Sequence, residues 1–219
     1  MTDSFAAARQ QMTYQQMRAA SVLTDVELGV LSRLQREDFT PAAWRALAYA
    51  DTAVPLAHGQ HMLPPTLVGR IIDAVDPRPR ERVLEIGTGS GYLSACLAML
   101  AGSVHSIEIY DDLAAAARSH LRAAGIGNVE VENADAFTLT AGTPAYDIVV
   151  LTGSLPLYDA RFEAHLKPGG RLFAIVGEAP VMEARLVRLS TEGARQDISL
   201  FETLSDPLLN APQVVRFDF

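Results

Sequence analysis

The chain has 219 residues, 49% hydrophobic and 20% charged, a composition that suits one folded unit with a sizeable core and excludes a disordered segment of this length. A formal net charge of -8, with no cluster of Lys and Arg, argues against a nucleic-acid partner. A single cysteine, Cys96, inside an apolar stretch, excludes an internal disulfide framework and reads as a small buried hydrophobe.

The N-terminal stretch "MTDSFAAARQQMTYQQMRAA" carries charges and glutamines where a signal peptide needs an apolar core, and no later run approaches membrane-spanning length. A cytoplasmic protein with no membrane partner is expected. Residues 1–76 read as helical: 5–20, 24–36, "PAAWRALAYA" behind Pro41, and "PTLVGRIIDAV" behind Pro64 and Pro65. Met12, Tyr14 and Met17 fall on helical spacing and read as packing residues. Between the last two helices, "DTAVPLAHGQHMLPP" is polar and proline-rich, and by its place in the chain is expected to lie over a ligand edge.

From residue 82 strands and helices alternate. "RVLEIG", "SVHSIEI", "NVEVEN", "YDIVVLTG" and "GGRLFAIVG" read as strands, with helices over "SGYLSACLAMLA", "DDLAAAARSHLRAAG" and, shorter, "LYDARFEAHL". Such alternation predicts an α/β fold with a doubly wound, mostly parallel sheet and helices on both faces. Asp111 is placed to cap the second helix and Gly125 to end it, while Pro168, Gly169 and Gly170 predict a turn before the fifth strand. After Gly177, "ARLVRLST", "DISLFETL" and "QVVRFDF" predict an antiparallel C-terminal edge. The whole is read as one domain, 1–219, with 1–76 a helical substrate or lid segment and 77–219 the α/β core.

In a doubly wound sheet, ligands sit beyond the strand C-termini where strand order reverses. The loop "GTGSGY" after the first strand lacks the Gly-Lys-Ser/Thr ending of a phosphate loop. A dinucleotide loop would place its third glycine at position 92, where Tyr92 stands. A pyrophosphate ligand is thereby disfavoured but stays open, and S-adenosylmethionine, with S-adenosylhomocysteine as its product, is the third candidate.

"LEIGTGSG" resembles the first motif of the class I methyltransferases, whose Rossmann-like fold binds that cofactor. The resemblance implies that Gly87, Thr88, Gly89, Ser90 and Gly91 lie against its amino-acid half and that Glu85 orients its ammonium group. Glu108, with Ile109 beside it, would receive the ribose hydroxyls, and Asp135, with Ala136, the adenine amino group. Taken singly, Glu85 and Glu108 also read as strand-end carboxylates and Asp135 as a helix cap.

"REDFTPAAWRALAYADTAVPLAHGQHMLPP", "YDIVVLTGSLP", "LKPGGRLFAIVG" and "VVRFDF" are similar to the protein-L-isoaspartate O-methyltransferase family over nearly the whole chain. This implies methyl transfer to isoaspartyl carboxylates in protein repair. An isoaspartyl carboxylate, with a pKa of about 4, is already ionised at neutral pH and needs no general base. The family loop G-x-G-Q-T-I-S-x-P becomes His58 to Pro65 here, with His61 in place of Thr and Leu63 in place of Ser, and its G-D-G becomes Ala134, Asp135, Ala136. Loss of a positioned donor at Leu63 predicts weaker carboxylate recognition, by about 2.7 to 4 kcal/mol where the donor acts as an oxyanion-hole group. Gln60, His61 and Ser154 are the expected substrate residues, and His61 is the candidate catalytic group. Other acceptors, a different peptide or a small molecule, stay open, as does a cofactor-binding protein without repair activity. His105, His120 and His165 read as structural, and no metal site is expected.

Overall fold

The computed structural model describes residues 2–20, 23–140 and 145–213. The N-terminal segment forms α1 (Thr2–Gln11), a π-helical turn (Met12–Met17), α2 (Arg18–Ala20) and α3 (Asp25–Arg33). The wide turn carries Met12 and Met17, five residues apart, into full burial, while Tyr14 stays 48% exposed. Thr24 and Glu27 close a reciprocal capping box at the start of α3. Residues 41–50, expected as an α-helix, give only a 3-10 segment, Ala42–Leu47, with none of its side chains buried. Without a face to bury, so short a segment has too little packing to hold a regular helix.

Two short strands, β1 (Val54–Pro55) and β2 (His61–Met62), pair antiparallel and fold the polar, proline-rich stretch back on itself. Helix α4 (Pro65–Val75) follows with Pro64 at its cap and Pro65 at its first position, as expected. The main sheet contains β3 (Arg82–Ile86), β4 (Ser103–Glu108), β5 (Val129–Asn133), β6 (Tyr146–Leu155), β7 (Leu166–Glu178), β8 (Val181–Leu189) and β9 (Arg195–Glu202), in the order β5-β4-β3-β6-β7-β8-β9. The first five strands of that order run parallel, and β8 and β9 add the antiparallel edge. Of the expected final strand "QVVRFDF", all but Gln213, which is irregular, lies outside the described residues.

Strand order reverses between β3 and β6, which opens the crevice in which such sheets hold ligands. Right-handed crossovers require the connections on the two sides of that point to lie on opposite faces. On one face lie α5 (Tyr92–Leu100) and α6 (Asp111–Ala123), joined by α3 and α4, over Val83, Val104, Ile148, Val150 and Phe173. Among the described residues the other face carries no long helix. Its cover is two 3-10 segments, Ala136–Thr138 and Ala160–His165, with Phe137 and Phe162 packed edge to face over Leu84, Val149, Leu151 and Leu172. The expected helices on both faces are therefore reduced to short turns on the second.

Gly125, at a φ of 71°, ends α6 as expected. Asp111 is not its cap. The cap position belongs to Tyr110, and Asp111 Oδ1 instead accepts the Asp112 N–H at 2.8 Å, leaving both acids in the first turn, where they complement the helix dipole. Pro168 to Gly170 lie inside β7, which starts at Leu166 and shifts register against β6 there. Cys96 is fully buried in α5.

Because so little covers the second face, Phe162→Ala is expected to cost about 3–5 kcal/mol of unfolding free energy. Urea denaturation measures it, and a loss under about 1 kcal/mol would show that this face closes without the ring.

Candidate active site

At the strand C-termini a pocket opens between four stretches of chain: the glycine loop, the ends of β4 and β5, the β1–β2 loop, and residues 205–209. The glycine loop is shaped by contacts behind it. Thr152 of β6 donates to the carbonyls of Ile86 (3.0 Å) and Gly87 (2.7 Å), and a Cβ at Gly87, φ 94°, would stand 2.3 Å from that hydroxyl oxygen. His120 braces the loop from α6, its Nδ1 3.0 Å from the Ser90 carbonyl oxygen. Gly87, Thr88, Gly89 and Ser90 line the pocket, but Gly91 does not. With a φ of 84°, Gly91 lets the loop pass Ala117 of α6, where an added Cβ would come within 3.2 Å of the alanine Cβ. Its role is packing beneath the loop.

Glu85 is fully buried at the base of the pocket. Its Oε2 accepts hydrogen bonds from Ser106 Oγ (2.6 Å) and Ser94 Oγ, while Oε1, also buried, has no partner. Burial pushes the carboxyl up to about 7, against partial relief from the Ser106 and Ser94 hydroxyls. Glu108 accepts the Gly89 N–H at Oε2 (2.8 Å) and the Tyr110 N–H at Oε1 (3.1 Å), tying the glycine loop to the end of β4. Asp135 accepts the Phe137 N–H at Oδ1 (2.9 Å) and the Asn210 side-chain amide at Oδ2 (2.8 Å), so it caps a 3-10 turn and also faces the pocket. Ile109 and Ala136 complete that wall.

The β1–β2 loop closes the opposite side with Leu56, Gln60, His61, Met62 and Leu63. His58, at a φ of 58°, stacks on Tyr110 with ring centroids 4.0 Å apart and brings Nε2 to 2.8 Å from Asp112 Oδ1. His61 Nδ1 lies 2.9 Å from Asp206 Oδ2, a pairing across 145 positions that sequence reasoning missed. Ser154 is not a pocket residue. The β6–β7 ladder advances from Val150 to Ser154 on one strand while advancing only from Phe173 to Ile175 on the other, and Ser154, just beyond this bulge, is fully buried. There its N–H donates to the Asp206 carbonyl (2.8 Å), its Oγ to the Ser205 carbonyl (3.3 Å), and its carbonyl accepts from Leu208 (2.9 Å). The serine thus anchors the strip that carries Ser205, Asp206 and Leu208 to the pocket. Tyr110, Phe137, Thr152 and Arg36 are further lining residues absent from the sequence reading.

His105 bonds Tyr146 and Glu132 away from the pocket, and His165 lies on the covered second face side of β7, its pKa lowered by burial. Among the described residues no group of His, Cys, Asp and Glu could hold a metal ion, and no helix is long and apolar enough to cross a membrane.

The family model for protein-L-isoaspartate(D-aspartate) O-methyltransferase (PCMT) matches residues 7–204. The chain belongs to this family. It is 41% identical over 187 residues to protein-L-isoaspartate O-methyltransferase 1 of Rhodopseudomonas palustris (strain HaA2), covering 85% of this chain and 76% of that one. Against the protein-L-isoaspartate O-methyltransferase of Koribacter versatilis (strain Ellin345) the identity is 32% over 205 residues, covering 94% and 92%. In architecture it is similar to a crystal structure described as a PCMT from Plasmodium falciparum in complex with S-adenosyl-L-homocysteine, with a TM-score of 0.77 at 17% identity over 93% of this chain and 97% of that one. The PCMT family thus accounts for both the parallel core and the helical N-terminal segment.

The raised Glu85 carboxyl has a defined sign in stability. It keeps its proton in the folded protein up to about pH 7 but ionises near 4.5 when unfolded, so its contribution is full below pH 4.5 and is lost as pH rises through 7. Urea unfolding of wild type and Glu85→Gln across that window should diverge by on the order of 3 kcal/mol, with the variant lacking the decline. Parallel profiles would mean that Glu85 ionises normally.

Proposed function

We propose that this pocket binds S-adenosylmethionine and that the chain methylates the side-chain carboxylate of isoaspartyl residues in a protein or peptide. The observation that carries the reading is Glu85 Oε1: a buried, unpartnered carboxyl oxygen at the base of a glycine-rich crevice, which an entering cation would ionise and pair with. The ammonium of the cofactor's amino-acid end suits it. Glu108 uses one lone pair on each oxygen internally and retains others for two ribose hydroxyls. Asp135, Ala136, Ile109 and Phe137 form the wall for adenine, with Asp135 facing its amino group.

Bound S-adenosylmethionine supplies an electrophilic methyl carbon on a sulfonium leaving group, which an ionised carboxylate attacks with no proton to remove. The chain's task is therefore to position the acceptor and exclude water. The N-terminal segment, residues 1–76, does this as a lid over the core of residues 77–219, through the loop that ends in His61, Met62 and Leu63. Asp206 holds His61 by Nδ1, which leaves Nε2 for the acceptor side. Leu63 offers no side-chain donor there, so His61 and Gln60 provide the polar contacts of the loop.

Methyl transfer from radiolabelled cofactor to an isoaspartyl peptide tests the function: turnover above an aspartyl control is expected, and none at saturating peptide would sink it. His61→Ala should lower kcat/KM at least tenfold, about 1.4 kcal/mol, with S-adenosylhomocysteine affinity within twofold of wild type. Unchanged kinetics would make the ring a packing residue.

A further inference from the structure

Arg36 is fully buried, yet among the described residues no carboxylate forms a hydrogen bond or ion pair with it. Its Nε donates to the Ala48 carbonyl (2.7 Å) and Nη2 to the Leu63 carbonyl (2.6 Å), both neutral acceptors, and the guanidinium carbon lies 4.8 Å from the centroid of the Tyr92 ring. Nη1 is buried and has no partner. Burial pulls the Arg36 pKa below its ordinary value, outweighing the opposing effect of Tyr92, Cys96, Tyr49 and Asp51. Carbonyls and a π-face satisfy a cation in part; a guanidinium fork is completed by an oxyanion.

Arg36, Leu63, Tyr92 and Glu85 all line the one pocket. It therefore holds two buried groups with open valences of opposite demand: a guanidinium N–H without an acceptor and a carboxylate oxygen without a donor. We propose that Arg36 Nη1 is the receptor for the α-carboxylate of an amino-acid zwitterion whose ammonium Glu85 receives, and that this zwitterion is the methionine end of S-adenosylmethionine. The inference rests on the cofactor reading above and assigns a residue that the glycine loop does not include. Tyr92, standing where a dinucleotide loop has glycine, supports the guanidinium from beneath.

Calorimetry on the wild-type protein with S-adenosylhomocysteine and with S-adenosyl-3-thiopropylamine, the same nucleoside without its carboxylate, tests this directly. The carboxylate is expected to tighten binding at least tenfold. Equal affinities overturn the proposal while leaving the cofactor reading intact, whereas absence of binding by either compound overturns the cofactor reading itself. Arg36→Gln should lose at least tenfold in S-adenosylhomocysteine affinity and stay within twofold for the thiopropylamine. Equal losses for both would make Arg36 a structural residue. An unchanged S-adenosylhomocysteine affinity with a tenfold higher KM for isoaspartyl peptide would give the guanidinium to the acceptor and overturn the assignment. Should Arg36→Gln fail to fold, equal wild-type affinities for the two compounds would still overturn the proposal.

Discussion

Everything at the ligand edge depends on a carboxylate that the fold buries at the point where strand order reverses. Glu85 sits on β3, and the hydroxyls that hold its Oε2 come from α5 (Ser94) and β4 (Ser106), the two elements that follow it in the chain. Ser106 in turn meets Thr88 of the glycine loop at 2.6 Å. One buried acid thus joins the central strand, the first helix, the second strand and the loop. Its desolvation is costly, and only one of its oxygens is compensated from within. The other is left for whatever enters the crevice, so the network that organises the fold is completed at the site.

The pocket is closed by contacts between parts of the chain far apart in sequence, each of a different kind. A stacked His58–Tyr110 pair with an Asp112 contact fastens the tip of the β1–β2 loop to the β4–α6 corner. His61 and Asp206 fasten its far side to the C-terminal strip, and Arg36 holds Leu63 through its carbonyl. The first two are exposed, whereas the third is buried. Such a loop is held by one buried contact at its root and two exposed contacts at its rim.

The parallel core was legible because its signals are local. Strands buried on both faces read as apolar runs, the glycine loop has a spacing of its own, and Glu85, Glu108 and Asp135 stand at or just after the C-terminal ends of three consecutive parallel strands. Readings that required the bulge in β6 failed. Ser154 has the right address but is fully buried against the strip of residues 205–208, and its neighbours Thr152 and Gly153 reach the pocket instead. The short cover of the second face was equally hidden, because a 3-10 turn anchored by one phenylalanine carries no periodicity to read. Asp206 could be matched to His61 only in three dimensions.

Arg36 shows why a charge in a sequence is the hardest residue to place. In "REDF" it looks like one of three solvated charges, and its neighbour Asp38 is exposed, yet the 3-10 turn Arg36–Asp38 directs Arg36 and Glu37 inward. Glu37 finds Tyr49 and Arg9, so that charge is neutralised within the N-terminal segment. Arg36 passes Glu37 by and turns toward the pocket, where two carbonyls and a tyrosine ring hold it without cancelling its charge. A fold that pairs one buried charge and leaves its neighbour's open has spent structure on keeping a cation available at the ligand edge. The loop that carries His61 and Leu63 lies directly on that cation through the Leu63 carbonyl, so the guanidinium and the loop line one pocket wall.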